Sequence, residues 1–418
     1  MRKICVLLII SLILSACSFE GEGASEEQPE TENVAELPVI EVPVEEEEEE
    51  DLPTVSEEAA EIPEEPESVS VSMIFAGDIA FDDRYANMVS LRERGSISAC
   101  IAPSIIDRMN RANICMINNE FPYSDRGTPT PDKKFTFRAR PETVEYLKVL
   151  GTDIVGLANN HAYDYGEEAL LDTFDTLEGA GIPYVGAGHN IDEAAAPYYI
   201  EVKGVRIGFA CATQIERSLP PDTKEATADS PGVLRTLDPT RFNETIREAD
   251  ENSDFVVVFV HWGSENVNDV EEAQRELARG YAAAGADLII GAHPHVLQGF
   301  EYVDGVPVMY SLGNFWFNSK PLDNCVVEAE VTSDSEGTRL SELKFIPCRQ
   351  TNCYTSEVEP GSGEYMRILD FEREHSRDVR IDDEGVVTYG EEGNEDGVPD
   401  DTSDADDTVS EEMLDVPE

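Results

Sequence analysis

Short apolar runs alternate with helical patterns along the middle of the chain. Three stretches carry apolar side chains at helical spacing, at residues 142–150, 166–179 and 270–284. Near-continuous apolar strands are buried on both faces, so the alternation predicts an α/β domain whose sheet is covered by helices on both sides. The runs predicted to be strands are residues 71–76, 114–117, 153–158, 205–210, 255–260 and 287–290.

The pattern changes after residue 308. Residues 308–311, 326–331 and 340–346 are predicted to be consecutive strands without helices between them. They indicate a mixed sheet or a second sheet that completes the core. The folded part is therefore predicted to span residues 71–370, which is long enough for one large hydrophobic core.

The N-terminus has the pattern of a bacterial lipoprotein signal. Two basic residues precede an apolar run at residues 4–14, which is too short to span a bilayer comfortably as a permanent helix. The run ends in Leu-Ser-Ala-Cys17, which resembles a lipobox, so residues 1–17 are predicted to be a signal peptide and Cys17 to take the lipid. An ordinary signal peptide or an uncleaved anchor is the alternative. In each case the remaining chain is expected on the extracellular face of the cell membrane.

Two acidic segments flank the predicted domain. Residues 18–70 are rich in Glu and Pro and hold no Lys or Arg, and residues 371–418 become similarly acidic from about residue 382. Such segments bury too little apolar surface to offset their ordering entropy, so both are predicted to be disordered. They account for most of the formal net charge of −58. No basic stripe remains to displace counterions from phosphates, which excludes nucleic acid as a predicted partner.

Five predicted strands end in residues that bind metals or move protons. Taken singly, each motif has a structural alternative, such as a turn, a helix cap or a core histidine with satisfied hydrogen bonds. The carboxyl ends of strands in an open α/β sheet form the crevice where ligands bind, so the set predicts one convergent site. The motifs are Gly77-Asp78, Asn118-Asn119-Glu120, Asn159-Asn160-His161 with Asp164, His261-Trp262-Gly263 and Gly291-Ala292-His293-Pro294-His295.

The histidine pair around Pro294 is the most specific of these motifs. Proline favours extended backbone at the residue before it, so His293 is expected to be extended and to turn with His295 toward a shared cation. Imidazole, carboxylate and amide ligands without cysteine suit Zn, Mn or Fe. A carboxylate such as Glu120 can bridge two ions about 4 Å apart. The predicted cofactor is therefore a divalent metal, as one or two ions.

Six motifs together resemble the CapA/PgsA capsule-synthesis (poly-γ-glutamate biosynthesis) family. That family is similar to the calcineurin-like metallophosphatases, so the resemblance implies a four-layer αββα fold with two mixed sheets flanked by helices. The resemblance covers about residues 71–317. The motifs are Gly77-Asp78, Asn119-Glu120, Ala158-Asn159-Asn160-His161-Ala162-Tyr163-Asp164-Tyr165-Gly166, His261-Trp262-Gly263-Ser264-Glu265, Gly291-Ala292-His293-Pro294-His295-Val296 and Tyr310-Ser311-Leu312-Gly313-Asn314-Phe315.

The resemblance also implies a role for each matching position. His161 would be the general acid or a phosphate contact, and Asp164 would orient it. Ser311 and Asn314 would close the core near the site. One metal ion would be held by Asp78, Glu120 and His295, and the second by Glu120, Asn160, His261 and His293.

One position departs from the metallophosphatase pattern. The pattern expects a histidine two residues after the first aspartate, and this chain has Ala80 there. Asp82 or Asp83 would have to compensate, or the site would hold a single ion. Glu120 in place of a bridging aspartate also changes the reach by one methylene.

The sequence is compatible with two main functions. The first is a metal-dependent hydrolase at the cell surface, acting on a phosphoester or a γ-glutamyl amide during poly-γ-glutamate or capsule biosynthesis or export. The second is a non-catalytic accessory or scaffold subunit of an envelope polymer synthesis complex. A surface protein that only gathers cations on its acidic flanks is a weaker third. The expected partners are the membrane, through lipidated Cys17, the membrane subunits of a poly-γ-glutamate synthase, and an anionic polymer or small-molecule substrate.

Overall fold

The computed structural model describes residues 68–215 and 223–390. The predicted signal peptide, Cys17, nearly all of the predicted tether and residues 391–418 lie outside the described residues. No helix in the part described is both long and apolar enough to cross a membrane.

The described chain forms strands and helices in alternation up to about residue 292 and mostly strands after it. The helices are α1 Ala86–Arg94, α2 Pro103–Arg111, α3 Glu145–Val149, α4 Glu167–Ala180, α5 Ile191–Ala194, α6 Thr240–Asn252, α7 Glu272–Ala284 and α8 Gly363–His375, with 3-10 turns at Ile97–Ala99 and Pro141–Val144. The strands are β1 Val69–Ile79, β2 Ile114–Asn119, β3 Ile154–Gly156, β4 Tyr184–Val185, β5 Ala187–Gly188, β6 Tyr198–Val202, β7 Val205–Thr213, β8 Gly232–Val233, β9 Phe255–His261, β10 Leu288–Ala292, β11 Leu297–Val303, β12 Val306–Leu312, β13 Asn314–Trp316, β14 Leu322–Asp334, β15 Gly337–Thr351, β16 Tyr354–Glu357, β17 Val379–Ile381 and β18 Val387–Tyr389.

Two mixed sheets form the centre of the fold. The first has the strand order β16-β15-β14-β1-β2-β3-β4, with β13 also paired to β1. Strands β1 to β4 are parallel in it, and β14, β15 and β16 are antiparallel neighbours. The second sheet has the order β11-β12-β10-β9-β7-β6, with a parallel centre and antiparallel edge strands. The strands after residue 308 therefore complete both sheets.

The buried apolar side chains form two clusters. The larger one fills the space between the sheets, where Phe75 of β1 and Phe259 of β9 are fully buried, and continues under the helices of the first sheet with Phe174 of α4. The smaller one lies between the second sheet and helices α6 and α7, around Phe242 and Tyr281. Helices therefore cover the outer face of each sheet. This confirms the predicted sandwich of two mixed sheets flanked by helices.

The predicted helices are present with small shifts at their ends. The helical pattern at 142–150 divides into a 3-10 turn that begins at Pro141 and a five-residue α-helix. Helix α7 has Glu271 as its N-cap, whose side chain forms a capping box with Gln274, and Gly285 as its C-cap, with a φ of 110°. A capping box satisfies backbone N–H groups that the first helical turn leaves free.

The described elements continue past residue 370, where the domain is predicted to end. Helix α8 continues past residue 370 to His375, and β17 and β18 follow it. Ile381 and Val387 are buried in the larger core cluster. These two apolar side chains hold residues 371–390 against the rest of the described structure.

Candidate metal centre

Strand ends bring the predicted residues to one place. Asp78, near the end of β1, hydrogen-bonds through Oδ1 to Asn118 Nδ2 at 2.7 Å, and its Oδ2 lies 3.0 Å from His295 Nδ1. Gly77 lets the end of β1 lie close to the backbone at Gly313, because a Cβ on Gly77 would lie 1.9 Å from the Gly313 carbonyl oxygen. In this close contact the Asp78 amide donates to the Gly313 carbonyl at 3.1 Å.

Glu120 is at the centre of the cluster. Its Oε1 lies 3.6 Å from His261 Nε2 and 3.9 Å from the Nε2 atoms of both His161 and His295. The side chain is fully buried, and neither carboxylate oxygen has a hydrogen-bond partner among the described residues. Burial raises the pKa of Glu120 well above its usual value, and the charge of Asp78 adds to this effect. A buried carboxylate without partners is costly unless a cation neutralises it.

The second side of the cluster is built from His261, His293 and Asn160. His261 Nε2 lies 2.9 Å from Asn160 Oδ1 and 3.0 Å from His293 Nδ1. Burial lowers the pKa of His261 well below its usual value, and His293 reinforces the shift. The neutral imidazole that results is the form that binds a metal.

His295 is held differently from the other histidines. Burial alone would lower its pKa, but the hydrogen bond and charge of Asp78 outweigh burial, and the pKa of His295 is raised. Asn314 Oδ1 also lies 3.0 Å from its Nδ1. Ser311 donates to the Val296 carbonyl, and this contact is structural.

The backbone at the histidine pair differs from the expectation. His293 has a φ of 99° and His295 a φ of 60°, both in the region that L-residues rarely adopt. Pro294 therefore does not hold His293 in an ordinary extended conformation as predicted. Such strain persists only where the surroundings fix it and is concentrated at functional sites. Here it aims both imidazoles into the cluster.

His161 and Asp164 form a pair beside the cluster. His161 Nδ1 lies 2.7 Å from Asp164 Oδ2. Burial lowers the pKa of His161, and Asp164 opposes the shift. With Nδ1 held by the carboxylate, Nε2 is the nitrogen that faces Glu120. The predicted orientation of His161 by Asp164 is therefore present in the geometry.

Sequence reasoning missed Lys133 and gave no role to Asn118. Lys133 is almost fully buried, and its Nζ lies 2.6 Å from Asp164 Oδ1 and also contacts the Asn160 carbonyl. Asn118 bridges Asp78 and His261. Its Nδ2 donates to Asp78 and lies 3.3 Å from Nδ1 of His261. Asn118 was visible in the strand-end motif, whereas Lys133 belongs to a loop with no periodic pattern.

Neither acidic neighbour of Ala80 replaces the missing histidine. Asp82 is buried and accepts hydrogen bonds from the Arg84 guanidinium and the Arg138 amide. Asp83 is paired with Arg92 and a second arginine at the surface. Both carboxylates are thus paired with arginines, and among the described residues neither belongs to a group of ligand atoms close enough to share a metal ion.

The remaining residues still fit a metal. Two groups have ligand atoms that all lie within 4.8 Å of one another, and both groups include Glu120. Their imidazole and carboxylate atoms, together with the unpartnered Glu120 oxygens, are the donor chemistry that a divalent cation takes. The two groups are Glu120, His261 and His293, and Asp78, Glu120 and His295.

Comparison with known proteins identifies the family. Residues 72–319 match the model of the bacterial capsule synthesis protein PGA_cap. The chain is 33% identical over 273 residues to the PGA biosynthesis protein CapA of Bacillus subtilis, covering 64% of this chain and 69% of that one. It is 39% identical over 195 residues to the capsule biosynthesis protein CapA of Bacillus anthracis, covering 45% of each. A solved phosphatase from Mycoplasma pneumoniae aligns with a TM-score of 0.43 and 12% identity over 73% of this chain and all of that one. The chain therefore belongs to the PGA_cap family of bacterial capsule synthesis proteins.

Proposed function

We propose that this chain is a divalent-metal-dependent hydrolase acting in poly-γ-glutamate or capsule production. The observation that carries the proposal is Glu120, a buried carboxylate without hydrogen-bond partners that belongs to both groups of ligand atoms. The names of the Bacillus relatives support the process. The bond that is cut would be a phosphoester or a γ-glutamyl amide.

Different residues of this chain would bind the metal and transfer the proton. Asp78, Glu120, His261, His293 and His295, with Asn160, would hold the metal, which supplies Lewis acidity and an activated water when bound. His161 would exchange a proton with the substrate through Nε2, because Asp164 holds Nδ1 at 2.7 Å. Asp164 is fixed in turn by Lys133 and by the Phe137 amide, whose nitrogen lies 2.6 Å from Oδ2.

Metal analysis and a substrate panel test this proposal. The purified protein is expected to retain at least one equivalent of Mn, Zn or Fe and to hydrolyse a phosphoester or a γ-glutamyl amide. His161→Ala should lower kcat by about 100-fold or more, the usual scale for a general acid or base. His189→Ala is the matched control, since His189 is exposed and its side chain contacts Glu193 of α5 and the ring of Phe174. Protein without metal, or equal rates for both variants, would rule the proposal out.

A non-catalytic accessory role is the second candidate. Ala80 in place of the expected ligand favours it, because Asp82 and Asp83 are engaged elsewhere. Polymer production in cells separates the two functions. Replacing His293 and His295 together by alanine should stop polymer production by a hydrolase and leave it intact if the domain only supports the synthase subunits. Deletion of the domain should stop production in both cases.

We also propose that Cys17 anchors the chain to the outer face of the cell membrane. The apolar run at 4–14 followed by Leu-Ser-Ala-Cys17 supports this. A lipid on Cys17 would place the domain beside the membrane subunits of a poly-γ-glutamate synthase. Cys17→Ser should move the protein from the membrane fraction to the medium and abolish labelling by a radioactive fatty acid. An unchanged distribution would count against the anchor.

A further inference from the structure

An aromatic cavity opens directly beside the metal centre. Its volume is about 240 Å³, and it is lined by Tyr85, Phe137 and Phe317 together with His161 and His295. The Phe137 ring centroid lies 4.2 Å from that of His161, and Phe317 lies 4.9 Å from His295. Phe137 and Phe317 meet edge to face at 5.2 Å. The wall of this aromatic cavity is therefore continuous with two histidines of the site.

A polar cleft also borders the same centre, at His293. It is lined by Gln214, Ser264, Glu265, Glu271 and His293. Glu265 is exposed and lines both the polar cleft and the aromatic cavity. A substrate that spans the centre would thus have one part in apolar surroundings and the other in polar surroundings.

Two lysines lie at the mouth of the aromatic cavity. Lys320 lines it, and Lys134 lies next to it, with Nζ 4.9 Å from the ring centroid of Phe135, which is itself part of the lining. Within residues 68–215 and 223–390, neither ammonium has an ion pair with a carboxylate. Phe135 is 47% exposed, so the mouth presents an apolar ring as well as charge. Unpaired cations in an otherwise acidic protein attract an anionic group.

The position of His161 decides which part of the substrate enters the aromatic cavity. Hydrolysis puts the oxygen of water on the electrophilic phosphorus or carbon, and a proton of that water ends on the leaving oxygen or nitrogen. If His161 Nε2 delivers this proton, the leaving atom must lie near it. His161 lines the aromatic cavity and not the polar cleft. The leaving group therefore belongs in the aromatic cavity.

We propose that the aromatic cavity is the leaving-group subsite, and that it takes a flat or apolar leaving group carrying one carboxylate. The rings of Phe137 and Phe317 contact the body of the group, and Lys320 and Lys134 bind its carboxylate. The exposed Glu265 carboxylate opposes a second negative charge. This assignment rests on the hydrolase function proposed above.

Hydrolysis of matched substrates by the full chain loaded with Mn²⁺ is the first test. Phenyl phosphate and γ-glutamyl anilide each have a partner whose ring carries a para carboxylate, 4-carboxyphenyl phosphate and γ-glutamyl-4-aminobenzoate. The carboxylate should raise kcat/KM by about 10-fold in the wild type, mainly through KM. Lys320→Gln should remove most of this preference, and Lys344→Gln, in the middle of β15, should keep it. An equal preference in the Lys320 and Lys344 variants would overturn the proposal.

Binding of the leaving group alone is the second test and does not need turnover. 4-Aminobenzoate should bind more tightly than aniline, and Lys320→Gln should weaken 4-aminobenzoate at least about 5-fold while leaving aniline unchanged. Phe135→Ser, at an exposed position, should weaken both. If no substrate is hydrolysed but this binding pattern holds, the hydrolase function fails and the subsite stands. If neither molecule binds, or both variants bind like the wild type, the subsite is overturned.

Discussion

A single buried carboxylate, Glu120, connects the two halves of the metal centre. The pKa of Glu120 is raised by burial and by Asp78, so its charged form is unfavourable without a cation. Glu120→Gln should therefore lower metal affinity at least about 100-fold and yet leave the metal-free protein as stable as the wild type or more so. Metal content and urea denaturation in EDTA measure the two effects. Retained metal in the variant would contradict this role.

Asp164 shows how one side chain can serve both stability and chemistry. Its Oδ1 accepts a hydrogen bond from the Lys133 ammonium at 2.6 Å, and its Oδ2 orients His161. Asp164→Asn should cost about 3–5 kcal/mol of unfolding free energy, because a buried ammonium loses its counter-charge. It should also lower kcat by about 100-fold.

The double variant Asp164→Asn with Lys133→Met separates these two effects. It should recover much of the stability, since the buried ammonium is removed together with its counter-charge, but none of the activity. Chemical denaturation and steady-state kinetics on the same samples are the measurements. Recovery of activity together with stability would mean that Asp164 acts only through folding.

At the scale of elements, helix α8 carries a buried group with no part in the metal centre. Glu372 is fully buried, and in the part of the chain that the structure describes neither of its oxygens has a hydrogen-bond partner. Burial raises the pKa of Glu372 well above its usual value. The folded state therefore keeps a proton that the unfolded chain loses at about pH 4.3, and this group lowers stability as pH rises above that value.

The substitution Glu372→Met tests this element-scale effect. The variant should be more stable than the wild type by about 1–3 kcal/mol at pH 8, and this difference should shrink toward pH 5. Urea denaturation at the two pH values measures it. Glu374→Met, exposed on the same helix, should show no such pH-dependent gain. An equal gain at both pH values would mean that Glu372 is charged or paired in the folded state.

The apolar pattern predicted the strands well because central strands of a covered sheet are apolar on both faces. All seven residues of β9 are buried, and its end at His261 was visible in the sequence. Strand order was not visible, since β14 joins the first sheet beside β1 across more than 240 residues of chain. Long-range pairing of this kind depends on which faces pack together, which local periodicity does not encode.

The difference between local pattern and long-range contact also explains which residues of the candidate site could be predicted. Strand ends are set by local pattern, so residues such as Asp78 and His261 could be named in advance. Lys133 could not, because a loop lysine becomes buried only when Asp164 and Asn160 arrive from another part of the chain. His293 has a φ of 99°, because its tertiary surroundings outweigh the local preference for extended backbone before proline.

At the scale of the whole molecule, residues 371–390 connect the two sheets. The Phe300 amide of β11 donates to Ser376 Oγ, and the Phe300 carbonyl accepts from the Arg377 amide, each at 2.8 Å. The Phe345 amide of β15 donates to the Gly385 carbonyl, also at 2.8 Å. The segment thus contacts an edge strand of the second sheet and an outer strand of the first.

A protein ending at residue 370 should consequently be much less stable than one ending at residue 390. Loss of the segment removes Ile381 and Val387 from the core, at about 1.5–3 kcal/mol for each buried side chain, together with the three hydrogen bonds described above, at about 1 kcal/mol each. Fragments 68–370 and 68–390 should therefore differ in Tm by at least about 10 °C, because 1 kcal/mol of unfolding free energy corresponds to a Tm shift of roughly 2–4 °C in domains slightly smaller than this one. Calorimetry on both fragments, each with EDTA and with Mn²⁺, measures the difference. Because the segment does not reach the metal centre, the metal should raise Tm by a similar amount in both fragments. Equal Tm values for the two fragments would show that the domain ends at residue 370.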